Sequence, residues 1–164
     1  MIRKASADDR DLILALYRAV ASVPDGIART PDEVTESYVG GFMQRAAQDG
    51  LELVVDDGGA ILGEMHASRV GIASLAHLLT DLTIAVSPEA QGRGVGRALF
   101  QAFLHEVSTN MPHITRVELF ARESNVRARA LYVSLGFVEE GRLRARQQCA
   151  RRARDRHHHG LAAR

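Results

Sequence analysis

One run of three consecutive segments constrains the fold of this chain more than any other feature. Residues 82–86 are LTIAV, residues 91–96 are QGRGVG, and apolar residues then recur every four positions from Val95 to Val107. The first segment predicts a strand and the third a helix. A helix that begins directly after glycines presents unpaired N–H groups and the positive end of its dipole to the preceding turn. The run therefore predicts an α/β chain with an anion-binding turn before a helix.

The composition of this turn favours a diphosphate ligand. Gly92, Gly94 and Gly96 carry no side chains, which lets the backbone approach phosphate oxygens closely. Arg93 and Arg97 add positive charge that can hold those oxygens. The spacing is G-x-G-x-G rather than the G-x-G-x-x-G of dinucleotide folds, and the absence of Gly-Lys-Ser/Thr excludes a P-loop nucleotide site. A glycine turn that serves packing alone is the alternative.

Two segments resemble the signatures of one enzyme family. Residues 82–99, LTIAVSPEAQGRGVGRAL, resemble the central motif of the GNAT superfamily of N-acetyltransferases, Q/R-x-x-G-x-G/A between a strand and a helix. Residues 125–137, NVRARALYVSLGF, resemble its second motif, N-x-x-A-x-x-L-Y-x-x-x-G-F. The resemblance covers roughly residues 2–141 and is closest to bacterial members that acetylate small amines or amino acids. It implies a mixed α/β fold with a central, mostly antiparallel sheet of six to seven strands and about four flanking helices. The end of this sequence departs from the family pattern, so its C-terminal strand is expected to be atypical or incomplete.

The same resemblance implies an activity and a set of coenzyme contacts. The chain would transfer an acetyl group from acetyl-CoA, a co-substrate used without a metal, to a primary amine of a small molecule, an amino acid or a protein. The amine would attack the thioester directly, without a covalent enzyme intermediate. The matching positions that would bind the coenzyme are Ile84, Ala85 and Val86 for the pantetheine arm, Gln91, Gly92, Arg93, Gly94, Val95, Gly96 and Arg97 for the pyrophosphate, and Asn125. Helix capping is a second role of Asn125, compatible with the first.

Acid and base roles also follow from the resemblance. Tyr132, at the matching position, would lie near the sulfur and protonate the departing thiolate; core packing is its alternative role. Family members often carry a Glu in or just before the strand that leads to the glycine turn, but here those positions hold Leu78 and Thr80. Asp81 is the nearest acid and is the predicted base. Glu64 and Glu118 on neighbouring segments are rival bases, and His66 and His77 are candidate proton relays.

Periodicity and turn residues predict the remaining elements. Strands are expected at residues 2–6, 51–56, 60–68 and 117–120 and from residue 137 onward, and the glycines of the DGG turn make the second and third a hairpin. Helices are expected from the aspartates at 8–11 to residue 20, from Thr30 to residue 48, and after Asn125. Gly40 and Gly41 are a weak point of the second helix. Residues 69–77 are expected to form a loop or ragged strand ends.

Charge separates the chain into two parts. Eight arginines and one aspartate lie from Gly141 onward, which leaves 13 basic and 19 acidic residues before it. We therefore predict an acetyltransferase domain at residues 1–146 and an arginine- and histidine-rich tail at 147–164, either disordered or frame-shifted. If the codons of His157, His158 and His159 are CAT, the frame one nucleotide later can encode an apolar strand. The gene sequence decides this, because CAC codons, read one nucleotide later, would encode threonine instead of apolar residues.

Composition limits the other functions. The longest apolar runs fall short of a membrane span, and the N-terminus shows no secretory pattern. The single cysteine, Cys149, excludes an intrachain disulfide and fits a reducing, cytoplasmic location. Two alternative functions remain, a coenzyme-A-binding regulatory module without turnover and, ranked last, a nucleic-acid binder that uses the tail. An unpaired sheet edge would favour a homodimer.

Overall fold

The structure is a computed structural model that describes residues 1–24, 26–144 and 157–163. Its helices are α1 (Arg10–Ala21), α2 (Glu36–Asp49), α3 (Val95–Asn110) and α4 (Val126–Ser134). Its strands are β1 (Ile2–Lys4), β2 (Gly50–Asp56), β3 (Ile61–Ser68), β4 (Leu78–Val86), β5 (Arg116–Arg122), β6 (Val138–Arg144) and β7 (His157–Ala163). The predicted mixed α/β class is confirmed.

The seven strands form one sheet in the order β1-β2-β3-β4-β5-β7-β6. Neighbouring strands are antiparallel except for β4 and β5, which are parallel. Because parallel neighbours need a crossover connection, the chain between them carries the longest helix, α3. The glycine turn therefore lies at the C-terminal end of β4, where α3 begins.

The pairing of β4 with β5 is short, and this shapes the centre of the molecule. Only Leu78 with Arg116 and Leu79 with Val117 are register partners. A bulge then interrupts the β3–β4 ladder, and Asp81 takes a left-handed conformation there with φ of 53°. Bulges bend the strand that carries them. The remainder of β4 stays paired with β3 and diverges from β5.

Two apolar cores lie on opposite faces of the sheet. On one face, α1 and α2 pack over Val54 and Ala85, and Tyr17 and Phe42 are among the largest buried side chains. On the other face, α3 and α4 pack over residues of β2 to β5. Each strand from β2 to β4 contributes residues to both cores. Helices thus cover β2 to β4 on both faces, and β4 diverges from β5 beyond their short pairing.

Several predicted boundaries move in the structure. The Thr30 capping box is formed, but it closes a single 3₁₀ turn, Pro31–Glu33, and α2 begins only at Glu36, where Thr35 accepts a bond from the Tyr38 N–H. The prediction of one helix from Thr30 was therefore wrong. The predicted weak point at Gly40 does not interrupt α2; a Cβ there would lie 2.5 Å from an Arg10 guanidinium nitrogen, so the glycine serves close packing.

Strand β4 is four residues longer at its N-terminus than the predicted strand. The bulge at Asp81 breaks the alternation that the prediction relied on, and Leu78 to Thr80 are buried before it. Their burial explains why apolar residues crowd this stretch.

The C-terminal residues 157–163 form β7, which inserts between β5 and β6 and pairs with both. The sequence HHHGLAA is thus the atypical strand of the sheet. The predicted boundary between domain and tail, at residues 146 and 147, lies outside the described residues and stays a prediction. The same holds for the frame-shift hypothesis, which concerns the gene.

Candidate active site

Two cavities meet where β4 and β5 diverge, each with a volume of about 650 Å³. The first, which we name the turn cavity, is lined by the glycine turn and the start of α3. The second, the helix cavity, is lined by α2, the loop before it, and the facing parts of β3, β4 and β5. Residues shared by both walls are Gly26, Ile84, Asn125, Ala128 and Tyr132. A molecule that occupies one cavity would therefore contact the other at this junction.

Most of the predicted coenzyme contacts line the turn cavity. They are Ile84, Val86, Gln91, Gly92, Gly94, Val95, Gly96, Arg97 and Asn125. Ala85 does not line it, because its side chain is buried beneath α1 and α2, although its backbone belongs to β4. Arg93 is exposed beside the turn and lies outside the lining.

The backbone of the turn explains its glycines. Gly92 and Gly94 have φ of 80° and 83°, a region that residues with a Cβ avoid. Gly94 is also the N-cap of α3, and no side chain satisfies the first N–H groups of the helix there. A Cβ added at Gly94 would meet no atom within 4 Å, so the cradle opens into the cavity. These free donors, together with the helix dipole, fit a diphosphate.

Guanidinium groups flank this turn. Arg97 donates to the Ser134 hydroxyl at 2.9 Å, which ties the first turn of α3 to the end of α4. Arg127, on α4, lies 3.8 Å from the position of a Cβ at Gly92 and lines the same cavity. Sequence reasoning missed Arg127. Its place in the second motif offered a signal, but nothing distinguished it from Arg129 nearby.

Tyr132 lies in the wall shared by both cavities. Its ring packs between Phe100 and Phe137, with centroid separations of 5.2 and 6.0 Å, and the side chain is 7% exposed. Burial raises the pKa of Tyr132 to about 12. The phenol is therefore protonated at neutral pH and can donate a proton or a hydrogen bond. The predicted core packing and the predicted location near the reaction centre are both compatible with this position.

Asn125 performs the predicted capping role. Its Oδ1 accepts the Ala128 N–H at 3.1 Å at the start of α4. The same side chain lines both cavities, so capping fixes its orientation at the junction.

The helix cavity contains the predicted base. Asp81 is exposed at the β4 bulge and shares this wall with Tyr132. Sequence reasoning missed the opposite wall, where the side chains of Arg29, Tyr38, Phe42 and Arg45 come from α2 and the preceding loop. Motif comparison could not find them, because the first 50 residues resemble the family in the order of their secondary-structure elements more than in residue identity.

A hydrogen-bonded cluster of polar side chains lies behind the helix cavity. The Tyr17 hydroxyl donates to Glu64 at 2.5 Å, and His66 Nδ1 lies 3.0 Å from the other carboxylate oxygen. Glu64 is fully buried, whereas His66 reaches the cavity wall. Burial, and then the charge of Glu64, raises the pKa of Glu52 to about 9, so Glu52 is neutral beside it at neutral pH.

The rival base Glu118 and the candidate relay His77 lie elsewhere. Glu118 accepts the Thr80 hydroxyl at 2.9 Å and lies near Arg116, within the β4–β5 pairing rather than in either cavity. His77 is exposed just before β4 and lines neither cavity. Of the two rival bases and the two candidate relays, the structure thus brings only Glu64 and His66 to the cavity wall or directly behind it.

No helix in the described ranges is long and apolar enough to cross a membrane. Within those same ranges, no three His, Cys, Asp or Glu side chains are grouped as metal ligands would be.

Comparison with known proteins gives a family for this architecture. Residues 48–139 match the acetyltransferase (GNAT) domain family. The mycothiol acetyltransferase of Tsukamurella paurometabola is 32% identical over 144 residues, which are 83% of this chain and 47% of that protein. The chain thus spans less than half the length of the mycothiol acetyltransferases that it matches.

Solved structures share the whole fold. The ribosomal-protein-alanine N-acetyltransferase of Brucella melitensis superimposes with a TM-score of 0.84 at 21% identity, over 99% of this chain and 98% of the other. A phosphinothricin acetyltransferase from Sinorhizobium meliloti, solved in complex with acetyl-CoA, gives 0.81 at 23% identity over 99% and 86% of the two chains. The family match includes both the glycine turn and Tyr132, the tyrosine in the wall shared by the two cavities. The chain therefore belongs to the GNAT acetyltransferase family.

Proposed function

We propose that this protein transfers the acetyl group of acetyl-CoA to the primary amine of a small molecule that carries an anionic group. One observation carries the proposal: the buried, protonated Tyr132 lies where the cavity of the diphosphate-binding turn meets a second, chemically different cavity. Such an arrangement suits a donor thioester from one side and an acceptor from the other.

The donor half rests on the turn cavity. The start of α3, with Gly92 and Gly94 in left-handed conformations, would bind the pyrophosphate, and Arg97 and Arg127 would add charge. The backbone of Ile84 and its neighbours in β4 would bind the pantetheine arm. Asn125 would contact the coenzyme while it caps α4.

The chemical step needs one acid and one base. Tyr132 would protonate the departing thiolate, since its raised pKa keeps the phenolic proton in place across the neutral range. Two groups of the helix cavity can take the proton of the amine, the predicted base Asp81 and the ring of His66.

The acceptor half rests on the charge of the helix cavity. Among the described residues, its lining contains three arginines, Arg29, Arg45 and Arg122, and one carboxylate, that of Asp81. Arg29 stacks on Tyr38 at 3.9 Å from the ring centre, and within the described residues neither Arg29 nor Arg45 forms an ion pair. The guanidinium groups of Arg29 and Arg45 in this wall suit a carboxylate or phosphonate on the acceptor.

A panel of matched acceptors tests this function. Each L-amino acid is compared with its carboxamide at equal concentration, and thiol release from acetyl-CoA is followed. A peptide with a free N-terminal alanine covers the protein acceptor named for the Brucella relative. Preference for the acids by about tenfold or more is expected, because one charge-assisted contact contributes about 1.5–3 kcal/mol.

The outcomes separate the readings. Preference for carboxamides or for the peptide would overturn the small anionic acceptor but keep acetyl transfer. Binding of acetyl-CoA without amine-dependent thiol release would favour the regulatory module. Absence of binding would contradict both. The cytoplasmic location and the homodimer expected from sequence stay predictions.

A further inference from the structure

A carboxyl group, that of Glu64, is buried behind the helix cavity. Glu64, in the middle of β3, is completely inaccessible to solvent. Moving an ionised carboxyl group out of water costs several kcal/mol unless it is paired and hydrogen-bonded. Here Tyr17 donates to one oxygen at 2.5 Å, and His66 lies 3.0 Å from the other. The fold therefore places two donors around this one side chain.

These contacts bear on which nitrogen of the His66 ring carries the proton. Nδ1 of His66 lies 3.0 Å from Glu64 Oε1 and 3.4 Å from the Tyr17 hydroxyl, and with Glu64 ionised it donates to the carboxylate and carries the proton. In the neutral ring, Nε2 is then the nitrogen with a free lone pair. Phe42 stacks on the ring at 4.0 Å with an angle of 8° between the planes, which holds its orientation. A histidine fixed by a carboxylate in this way is a prepared proton acceptor.

The position of the ring matches the proposed reaction. His66 lines the helix cavity and is the register partner of Thr83, next to Ile84 in the wall shared by both cavities. Tyr132 lines the same cavity from α4. Asp81, by contrast, is exposed at the bulge, where water competes for its carboxylate.

We infer that His66 takes the proton from the attacking amine and that Glu64 and Tyr17 are positioning residues for it. This inference rests on the proposed acetyl transfer. The neutral amine forms a C–N bond with the thioester carbon, and the C–S bond then breaks. The proton on nitrogen passes to His66 Nε2, directly or through one water, while Tyr132 supplies a proton to sulfur. Exchange with solvent returns His66 and Tyr132 to their initial states.

Other charged groups surround the ring and bear on its pH response. Titratable and charged side chains that line the same cavity or pack behind it come from every neighbouring element: Tyr17, Arg29, Tyr38, Arg45, Glu52, Glu64, Asp81, Arg122 and Tyr132. Glu52 stays neutral up to about pH 9, because burial raises its pKa. Glu52 therefore does not change its charge in the range in which an imidazole titrates.

The experiment compares four proteins with the fastest amine of the acceptor panel: the wild type, His66→Ala, Asp81→Asn and, as a matched control, His105→Ala on the exposed face of α3. We expect kcat of His66→Ala to fall by about 10²-fold with an unchanged Kd for acetyl-CoA. Added imidazole should restore part of the rate. The fall of kcat/KM towards low pH, which reports protonation of the base, should disappear in His66→Ala and persist in Asp81→Asn.

Glu64→Gln tests the positioning role. It keeps the size of the side chain but no longer requires a proton on Nδ1, so we expect an intermediate loss of about tenfold. ¹⁵N NMR of histidine-labelled wild type provides a readout that needs no acceptor. At pH 8, one neutral ring with the proton on Nδ1 is expected, and that signal should be absent in His66→Ala.

Two results would overturn the inference. The first is an unchanged pH profile in His66→Ala together with loss of the acidic limb in Asp81→Asn. The second is a His66 ring protonated on Nε2 in the wild type at pH 8. Failure of the proposed function would give a different result, because the wild type itself would then show no amine-dependent thiol release.

Discussion

Tyr17 donates its hydroxyl to Glu64 across 2.5 Å and so joins α1 to the middle of the sheet. Both groups are buried, and the tyrosine ring also contacts Phe42, with 5.1 Å between the ring centroids. Burial, followed by the charge of Glu64, raises the pKa of Tyr17 well above its ordinary value, so the phenol remains a donor. The contact links the packing of the helical layer to the polar cluster behind the helix cavity.

Replacing Tyr17 with Phe should therefore lower the free energy of unfolding by about 1–3 kcal/mol, because Glu64 would lose one of its donors while it stays buried. Urea unfolding measures the change. Tyr38→Phe is the control, since Tyr38 is partly exposed and its loss should cost less. Equal effects of the two substitutions would contradict this account.

Glu52→Gln should stabilise the protein in a pH-dependent manner. Burial, and then the charge of Glu64, raises the pKa of Glu52 from 4.5 to about 9 in the folded state. The unfolded chain releases this proton near pH 4.5 and the folded protein does not, so the wild type loses stability as pH rises between these values. The glutamine variant avoids this loss.

At pH 4 the two proteins should unfold at the same urea concentration. At pH 8 the variant should be more stable by about 2 kcal/mol, a figure reduced from the full shift because the group is partly solvated. A difference that is the same at both pH values would show that ionisation of Glu52 is not its cause.

Tyr132→Phe tests the acid. The phenyl ring keeps the packing against Phe100 and Phe137 but has no proton to donate. We expect kcat to fall by about 10²-fold, with little change in the Kd of acetyl-CoA and in the melting temperature. Steady-state kinetics and calorimetric titration measure these quantities. An unchanged kcat would leave Tyr132 with a packing role only.

Gly94→Ala tests the turn. A residue with a Cβ at φ of 83° costs about 1 kcal/mol in the folded state, although no neighbouring atom would clash. Its methyl group would project into the proposed pyrophosphate site, so acetyl-CoA should bind at least tenfold more weakly.

Gly58→Ala is the matched control for strain. Gly58 has φ of 71° in the β2–β3 turn and also has open space around a Cβ. The two variants should lose similar stability, and only Gly94→Ala should lose affinity for acetyl-CoA. Equal losses of affinity would indicate that backbone strain alone weakens binding.

The turn cavity could be predicted from the sequence, and the helix cavity could not. Contacts around Gly92 and Asn125 are local, since a glycine turn and a cap act within a few residues of chain. The helix cavity instead depends on Arg29 and Arg45 meeting β3, which tertiary packing decides. Asp81 shows both aspects: the sequence placed it near the strand, but its bulge and exposure follow from the β3–β4 register.

The second helix illustrates the same limit. Thr30 forms the capping box that its sequence predicts, yet the chain leaves helical geometry at Val34, whose side chain is buried in the α1–α2 core. Burial of this one apolar residue outweighed the local preference to continue the helix. A second cap, Thr35, then restarts it.

Because β4 pairs with β5 at only two positions, the sheet consists of two half-sheets, β1 to β4 and β5 to β6. They are joined at one end and diverge from there. The facing edges beyond Leu79 and Val117 still carry backbone donors and acceptors. An extended pantetheine arm between them would act as an added strand and fasten both halves. Coenzyme binding should then slow amide hydrogen exchange in β4 and β5 together, because the bound arm would stabilise both half-sheets and not only the residues that it contacts.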